Sequence, residues 1–163
     1  MTDGPAQVYS ALEAIGIPFA RYDHPPVFTG DDAAVHWAGI PGRGMKNLFL
    51  RNKKGNRHYL VVLPVEKEAD LGRLVKVIGD DRLSFASPER LAEHLGLTPG
   101  SVSPFGLLNN PSHSVQVVVD AGLRGTGLLI FHPNLNSHSV TISGEDLARF
   151  LSSTGHPVRW LAL

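Results

Sequence analysis

A lysine, a glycine-bracketed loop and a histidine at a strand end are the residues of this sequence best suited to chemistry. Lys46 falls in "KNLFLRN", where alternation puts Lys46, Leu48 and Leu50 on one face and Asn47, Phe49 and Arg51 on the other. An ammonium that points the same way as two leucines is costly to bury alone. It either reaches water at the end of the strand or meets an anion supplied from outside the chain. In "PGSVSPFG", residues 99–106, Gly100 and Gly106 permit positive φ or close backbone approach, and Pro104 stiffens the loop. The amides of such a loop can converge on one point and form an anion or oxyanion site. The same residues also suit a plain helix-to-strand connection. In "FHPN", residues 131–134, a strand ends in His132 and Pro133 turns the chain out of the sheet. A histidine there can face a cleft, with a near-neutral pKa suited to proton transfer or to positioning water. The competing role is the capping of a turn.

Other chemistries lack their residues. No G-x-S-x-G elbow, G-x-x-x-x-G-K-[ST] phosphate loop or H-E-x-x-H pair occurs. The eight histidines are scattered, and His132 and His138 lie close together without a metal-binding spacing. Cysteine is absent, which removes thiol catalysis, disulfides and thiolate zinc sites and makes the cytosol the expected compartment. No metal or other cofactor is expected. No run of eighteen apolar residues suggests a membrane span, and the first residues do not read as a secretory signal.

These groups must be positioned by one domain. The chain has 163 residues, 42% hydrophobic and 18% charged, enough for a single core spanning 1–163. Net charge is zero, so the whole molecule is not a general nucleic-acid binder. Yet no acidic residue falls between Asp32 and Glu66, where Arg43, Lys46, Arg51, Lys53, Lys54 and Arg57 cluster. Such a patch can meet a few phosphates; alternatively it is a solvated hairpin whose charges keep an edge strand from pairing.

Periodicity and capping predict helices over 5–15, 31–38 (behind Thr29 or Asp31), "KEADLGRLVKVIG", "SPERLAEHLG" and "GEDLARFLSST". Strands are expected in "IPFARYDH", 46–52, 57–63, "LSFA", "SVQVVVD", "GLLIFH", "SVTIS" and "VRWLAL", with 46–63 a hairpin around Gly55. The intermixing implies an α/β (α+β mixed) fold, a curved mixed sheet or barrel with helices packed outside.

The order of these features carries a resemblance. "DHPPVFT" at 23–29, "KNLFLRNKKGNRHYLVVLP" at 46–64, the stretch from "DLGRLVKVIG" to "SVSPFGLLN" at 70–109, and "FHPNLN" at 131–136 resemble the YbaK/prolyl-tRNA synthetase editing-domain family, closest to its freestanding ProX-like branch. The chain departs from the expected pattern at Asn134, where Leu is usual, at Ser139, where Thr is usual, and at Asn110, where Asp is frequent.

The resemblance implies an ester hydrolase that removes a wrong amino acid from proline tRNA. It points to Ala-tRNA(Pro) for the ProX-like branch and to Cys-tRNA(Pro) for the YbaK branch. It places Lys46 beside the terminal adenosine and its phosphate, Gly100 against the scissile carbonyl, and His132 in the amino-acid pocket. Thr29, Asn47 and Asn136 would join the substrate-binding wall. So would Ser101, Val102, Ser103, Pro104 and Phe105, with amides of 100–103 facing the oxyanion. The implied partners are the acceptor end of tRNA(Pro) and, secondarily, prolyl-tRNA synthetase, with neither membrane nor DNA. Two other classes compete. A non-catalytic tRNA- or synthetase-binding module would need neither His132 nor the 100–104 loop. A small-molecule esterase would need a triad or a metal set that is absent.

Overall fold

A computed structural model describes residues 4–163. The chain runs α1 (Gly4–Ala14), β1 (Ala20–Asp23), α2 (Gly30–Trp37), β2 (Arg43–Arg51), β3 (His58–Pro64), α3 (Leu71–Ile78), β4 (Ser84–Phe85), α4 (Pro88–Leu95), β5 (Val115–Asp120), β6 (Leu128–Phe131), β7 (His138–Ser143), α5 (Gly144–Thr154) and β8 (Val158–Leu161), with 3-10 turns at Pro104–Asn109 and Ala121–Leu123. Local chemistry sets most of the helix ends. Thr29, Ser87 and Ser143 each accept the amide three residues on, and Gly79, Gly96 and Gly155 stop α3, α4 and α5 in the left-handed region.

The strands form one mixed sheet in the order β1-β7-β6-β2-β3-β5-β8, with β4 on β2. The β2–β3 pair is the expected hairpin, although β2 begins at Arg43, three residues before Lys46. β3 is buried throughout because both its faces are covered. Leu60 and Val62 join a core of Phe105, Phe131 and Phe150 beneath α1, α4 and α5, whereas Tyr59, Val61 and Leu63 join a second core beneath α3. Three pairings are parallel, β2–β6, β3–β5 and β5–β8. The curved mixed sheet with outer helices is therefore present.

β2 is the strand that matters for function. It pairs with β6 only at Arg43 and Gly44, and with β4 only at Leu50 and Arg51. Residues 45–48 in between keep a ladder partner on the β3 side alone. The notion that basic residues guard an edge strand does not hold, because β2 lies inside the sheet. The basic patch is also smaller than its sequence suggests. The Arg43 guanidinium pairs with Glu66, and that of Arg57 grips Asp80 with two hydrogen bonds of 2.8 and 2.6 Å. Arg51 donates to the carbonyls of Asn52 and Lys53. These arginines are committed to the fold. The Asp80 carboxyl is held well below the usual carboxylate range, chiefly by its hydrogen bond from Arg57.

The fold also carries an acid sensitivity. His58 is buried against His94, ring centroids 4.0 Å apart, and its Nε2 accepts a 3.0 Å hydrogen bond from Arg90. Burial, followed by the charges of His94 and Arg90, lowers its pKa to about 4. The folded ring stays neutral where the unfolded one binds a proton, so stability is complete above about pH 6.5 and is lost as pH falls from there toward 4. Urea unfolding at pH 7.5 and pH 4.5 is expected to differ by a few kcal/mol. His58→Gln should flatten that difference; an equal acid loss in the variant would assign the effect elsewhere.

Candidate active site

Where β2 stands free of β6, Met45, Lys46 and Asn47 form one wall of a cavity of about 210 Å³. Val27, Phe28 and Thr29, with Ala33 and Trp37 of α2, add to its lining. Val65, Gly100, Val102 and His132 complete it. Five chain segments, 27–37, 45–47, 65, 100–102 and 132, thus converge on the sheet's opening.

The segment before α2 is pinned at both ends. The His24 amide donates to the Ser137 carbonyl at 2.9 Å, and Val27 exchanges hydrogen bonds with Asn136, amide to Asn136 carbonyl at 3.2 Å and Asn136 Nδ2 to Val27 carbonyl at 2.7 Å. Asn136, expected in the substrate-binding wall, clips Val27 in place and is not itself among the residues lining the cavity. Thr29 has two duties. Its Oγ1 caps α2 by accepting the Asp32 amide at 3.1 Å, while Asp32 accepts the Phe28 amide at 3.3 Å, and its side chain borders the cavity.

The glycine loop divides in the same way. Gly100 adopts φ +88°, which favours glycine, and lines the cavity together with Val102. Ser101 is buried, with its amide donating to the Thr98 carbonyl. Ser103 is buried and caps the following 3-10 turn by accepting the Phe105 amide at 3.0 Å. Pro104 is buried, and Phe105 enters the main core edge-on to Phe131 and Phe150. Ser101, Ser103, Pro104 and Phe105 hold the loop but leave the cavity wall to Gly100 and Val102. Among the described residues the amides of Gly100, Val102 and Ser103 donate to no acceptor.

His132 follows the last residue of β6. Its Nδ1 lies 2.9 Å from the His138 carbonyl, which only accepts, so the proton sits on Nδ1 and Nε2 carries the lone pair. Burial lowers the pKa of this ring below its ordinary value, His24 lowers it further, and the carbonyl partly opposes them. The ring is a neutral acceptor at pH 7.

Lys46 is the one charged group among the cavity's described lining residues, and its ammonium makes no hydrogen bond or ion pair with any described residue. Asn47 Oδ1 is itself buried and has no partner among the described residues. Among the cavity's described lining residues there is no carboxylate and no nucleophile paired with a base. Among the described residues no three His, Asp or Glu side chains converge as a metal would need. What remains is a cationic pocket with unused donors and a neutral imidazole, which suits an anionic ligand whose ester or acyl carbonyl meets the loop amides.

Val27, the exposed Phe28, Ala33, Trp37, Met45 and Val65 line the cavity without having been expected from the sequence. Trp37 left one trace, a large aromatic ending a short helix in which positions i−3 and i−4 are only alanines, so another element must bury it.

A family model described as the aminoacyl-tRNA editing domain matches residues 24–150. The prolyl-tRNA editing protein ProX of Acetoanaerobium sticklandii is 38% identical over 161 residues, covering 99% of this chain and 98% of the relative. The prolyl-tRNA synthetase associated domain-containing protein 1 of Danio rerio is 34% identical over 147 residues, covering 89% of this chain and 79% of that one. A crystal structure of a candidate trans-editing enzyme for prolyl tRNA synthetase shares the fold, with a TM-score of 0.72 at 24% identity over 99% of this chain and 98% of the other. The matched segment contains every residue of the cavity wall, and with near-complete coverage of ProX it makes the chain a member of the aminoacyl-tRNA editing-domain family.

Proposed function

We propose that this protein is a trans-editing deacylase that hydrolyses Ala-tRNA(Pro), freeing the amino acid and intact tRNA. The observation that carries the reading is the unpaired Lys46 ammonium in the same cavity as Gly100 and Val102, whose amides are unused among the described residues. An aminoacyl ester is already activated, so water held in place can attack it without a protein nucleophile. Water adds to the ester carbonyl, the oxyanion is met by the amides of Gly100 and Val102 (that of Ser101, expected to join them, is taken by the Thr98 carbonyl), and the C–O bond to the terminal ribose breaks with a proton returning to the leaving oxygen. A neighbouring ribose hydroxyl of the substrate can relay that proton. One such oxyanion donor is worth about 3 kcal/mol.

Lys46 holds the phosphate next to the esterified nucleotide, and His132 borders the amino-acid side of the cavity. The 2′-hydroxyl separates RNA from DNA. Selectivity follows from size. A proline-sized synthetase pocket rejects alanine weakly, since each lost methylene is worth about 1–3 kcal/mol, and a second, smaller site removes the error.

The deciding measurement is deacylation of Ala-, Cys- and Pro-tRNA(Pro) at equal concentration. Rapid loss of the alanyl ester with the prolyl ester spared is expected. Loss of the cysteinyl ester alone would move the chain to Cys-tRNA(Pro) editing, and spontaneous rates for all three would leave a non-catalytic tRNA- or synthetase-binding module.

A further inference from the structure

We infer that Trp37 is the specificity-determining residue of this cavity, a fixed wall that sets the largest side chain the site admits; this rests on the deacylase reading above. Trp37 closes α2, a helix whose residues are mostly exposed apart from Ala33 and the half-buried His36 and Trp37. The indole lines the cavity and leans on His132, centroids 5.4 Å apart.

Two features hold the ring where it is. Beneath it is Gly44, a strand residue that lacks the positive φ which would call for glycine. A Cβ there would sit 2.6 Å from Trp37 Cζ3 and closer still to Cε3. Glycine weakens a strand, and the space for the indole is what it provides. At the ring's polar end Nε1 donates to Ser139 Oγ at 2.9 Å. Ser139 is fully buried, and its second partner, at 2.8 Å, is His24 Nε2. Ser139 Oγ accepts from the indole; with the His24 ring neutral, the Pro25 carbonyl, which only accepts, draws its hydrogen to Nδ1, so Nε2 takes the Ser139 hydrogen. His24 Nδ1 in turn donates to the Pro25 carbonyl at 2.9 Å. One arrangement of protons satisfies the chain from indole to backbone, which leaves the ring a single orientation. Ser139 is thus a positioning residue acting through Trp37.

The test compares hydrolysis of alanyl-, 2-aminobutyryl- and prolyl-tRNA(Pro) by the wild type, Trp37→Phe, Trp37→Ala, Gly44→Ala, Ser139→Ala and Ser139→Thr. Each variant is first checked for a cooperative melt. The ratio of prolyl to alanyl turnover should rise at least tenfold in Trp37→Ala and less in Trp37→Phe. Gly44→Ala, which pushes the ring off its seat toward the cavity, should shift preference the other way and lose the 2-aminobutyryl ester first. Ser139→Ala should relax the ratio and Ser139→Thr restore it, a pattern that mere loss of stability would not produce. A ratio unchanged in folded Trp37→Ala and Trp37→Phe overturns the inference.

Binding of adenosine carrying alanine or proline through a 3′-amide separates this from the function itself. A wild type that binds only the alanyl analogue, with Trp37→Ala admitting both, upholds the size wall even if no ester is cleaved, while the deacylase reading falls. Equal binding of both analogues by the wild type, or of neither, overturns the wall directly.

Discussion

Lys46→Ala is expected to lower kcat/KM for Ala-tRNA(Pro) roughly 10- to 100-fold, the loss typical of one charge-assisted contact to a phosphate. The structure makes the change clean. The ammonium has no partner among the described residues, so its removal orphans no protein group, and the fold should melt within about 0.5 kcal/mol of wild type. Arg43, Arg51 and Arg57 cannot substitute, being tied to Glu66, to backbone carbonyls and to Asp80. The salt dependence gives a second readout. Loss of one phosphate contact on a single-stranded end should reduce the slope of log kcat/KM against log salt by about 0.7. Lys46→Arg should retain the slope and recover part of the rate, since a planar fork replaces a point charge. An unchanged rate and slope in Lys46→Ala would remove the phosphate from this wall of the cavity.

His132→Ala should cost more in kcat than in KM, by about 10²-fold, in the range for a positioned acid–base group. On the proposed mechanism its Nε2 lone pair, enforced by the Nδ1 bond to the His138 carbonyl, would accept a hydrogen from the attacking water. The pH profile tests the protonation state. Burial depresses the pKa, so the neutral ring persists below pH 6.5, and protonation there turns Nε2 from acceptor to donor. kcat/KM should be flat from pH 8 to about 6.5 and fall only on further acidification. That limb should vanish from the residual activity of His132→Ala. An acid limb centred at or above pH 6.5, or one that survives the substitution, would show that another group carries the proton. Acid unfolding through His58 occupies an overlapping range, so the profile must be taken at times short against unfolding.

Local chemistry made much of this molecule legible from sequence. Thr29, Ser87 and Ser143 cap the helices they precede, Gly79 and Gly96 end theirs, and Gly55 lies in the hairpin that joins β2 to β3. Such signals work because an N-cap or a left-handed glycine satisfies backbone groups within a few residues. The three chemical markers were legible for the same reason. Lys46, Gly100 and His132 each break a local pattern, and all three border one cavity.

What only the tertiary structure decided depends on partners distant in the chain. Of the basic residues after Asp32, Arg43 finds Glu66 and Arg57 finds Asp80, each 23 positions away, whereas Lys46 finds none. Their spacing in the sequence does not distinguish these fates. In the glycine loop, Phe105 is drawn into the core by Phe131 and Phe150 while Val102, three residues earlier, faces the cavity. Trp37 acquires its place from Gly44 and from Ser139, 102 residues on. The sequence by itself determined where the backbone turns and which groups could react, because those are short-range matters of sterics and hydrogen bonding. Which charge stays unpaired, and which aromatic becomes a wall, was decided by parallel strand pairings and long-range packing that no local pattern encodes.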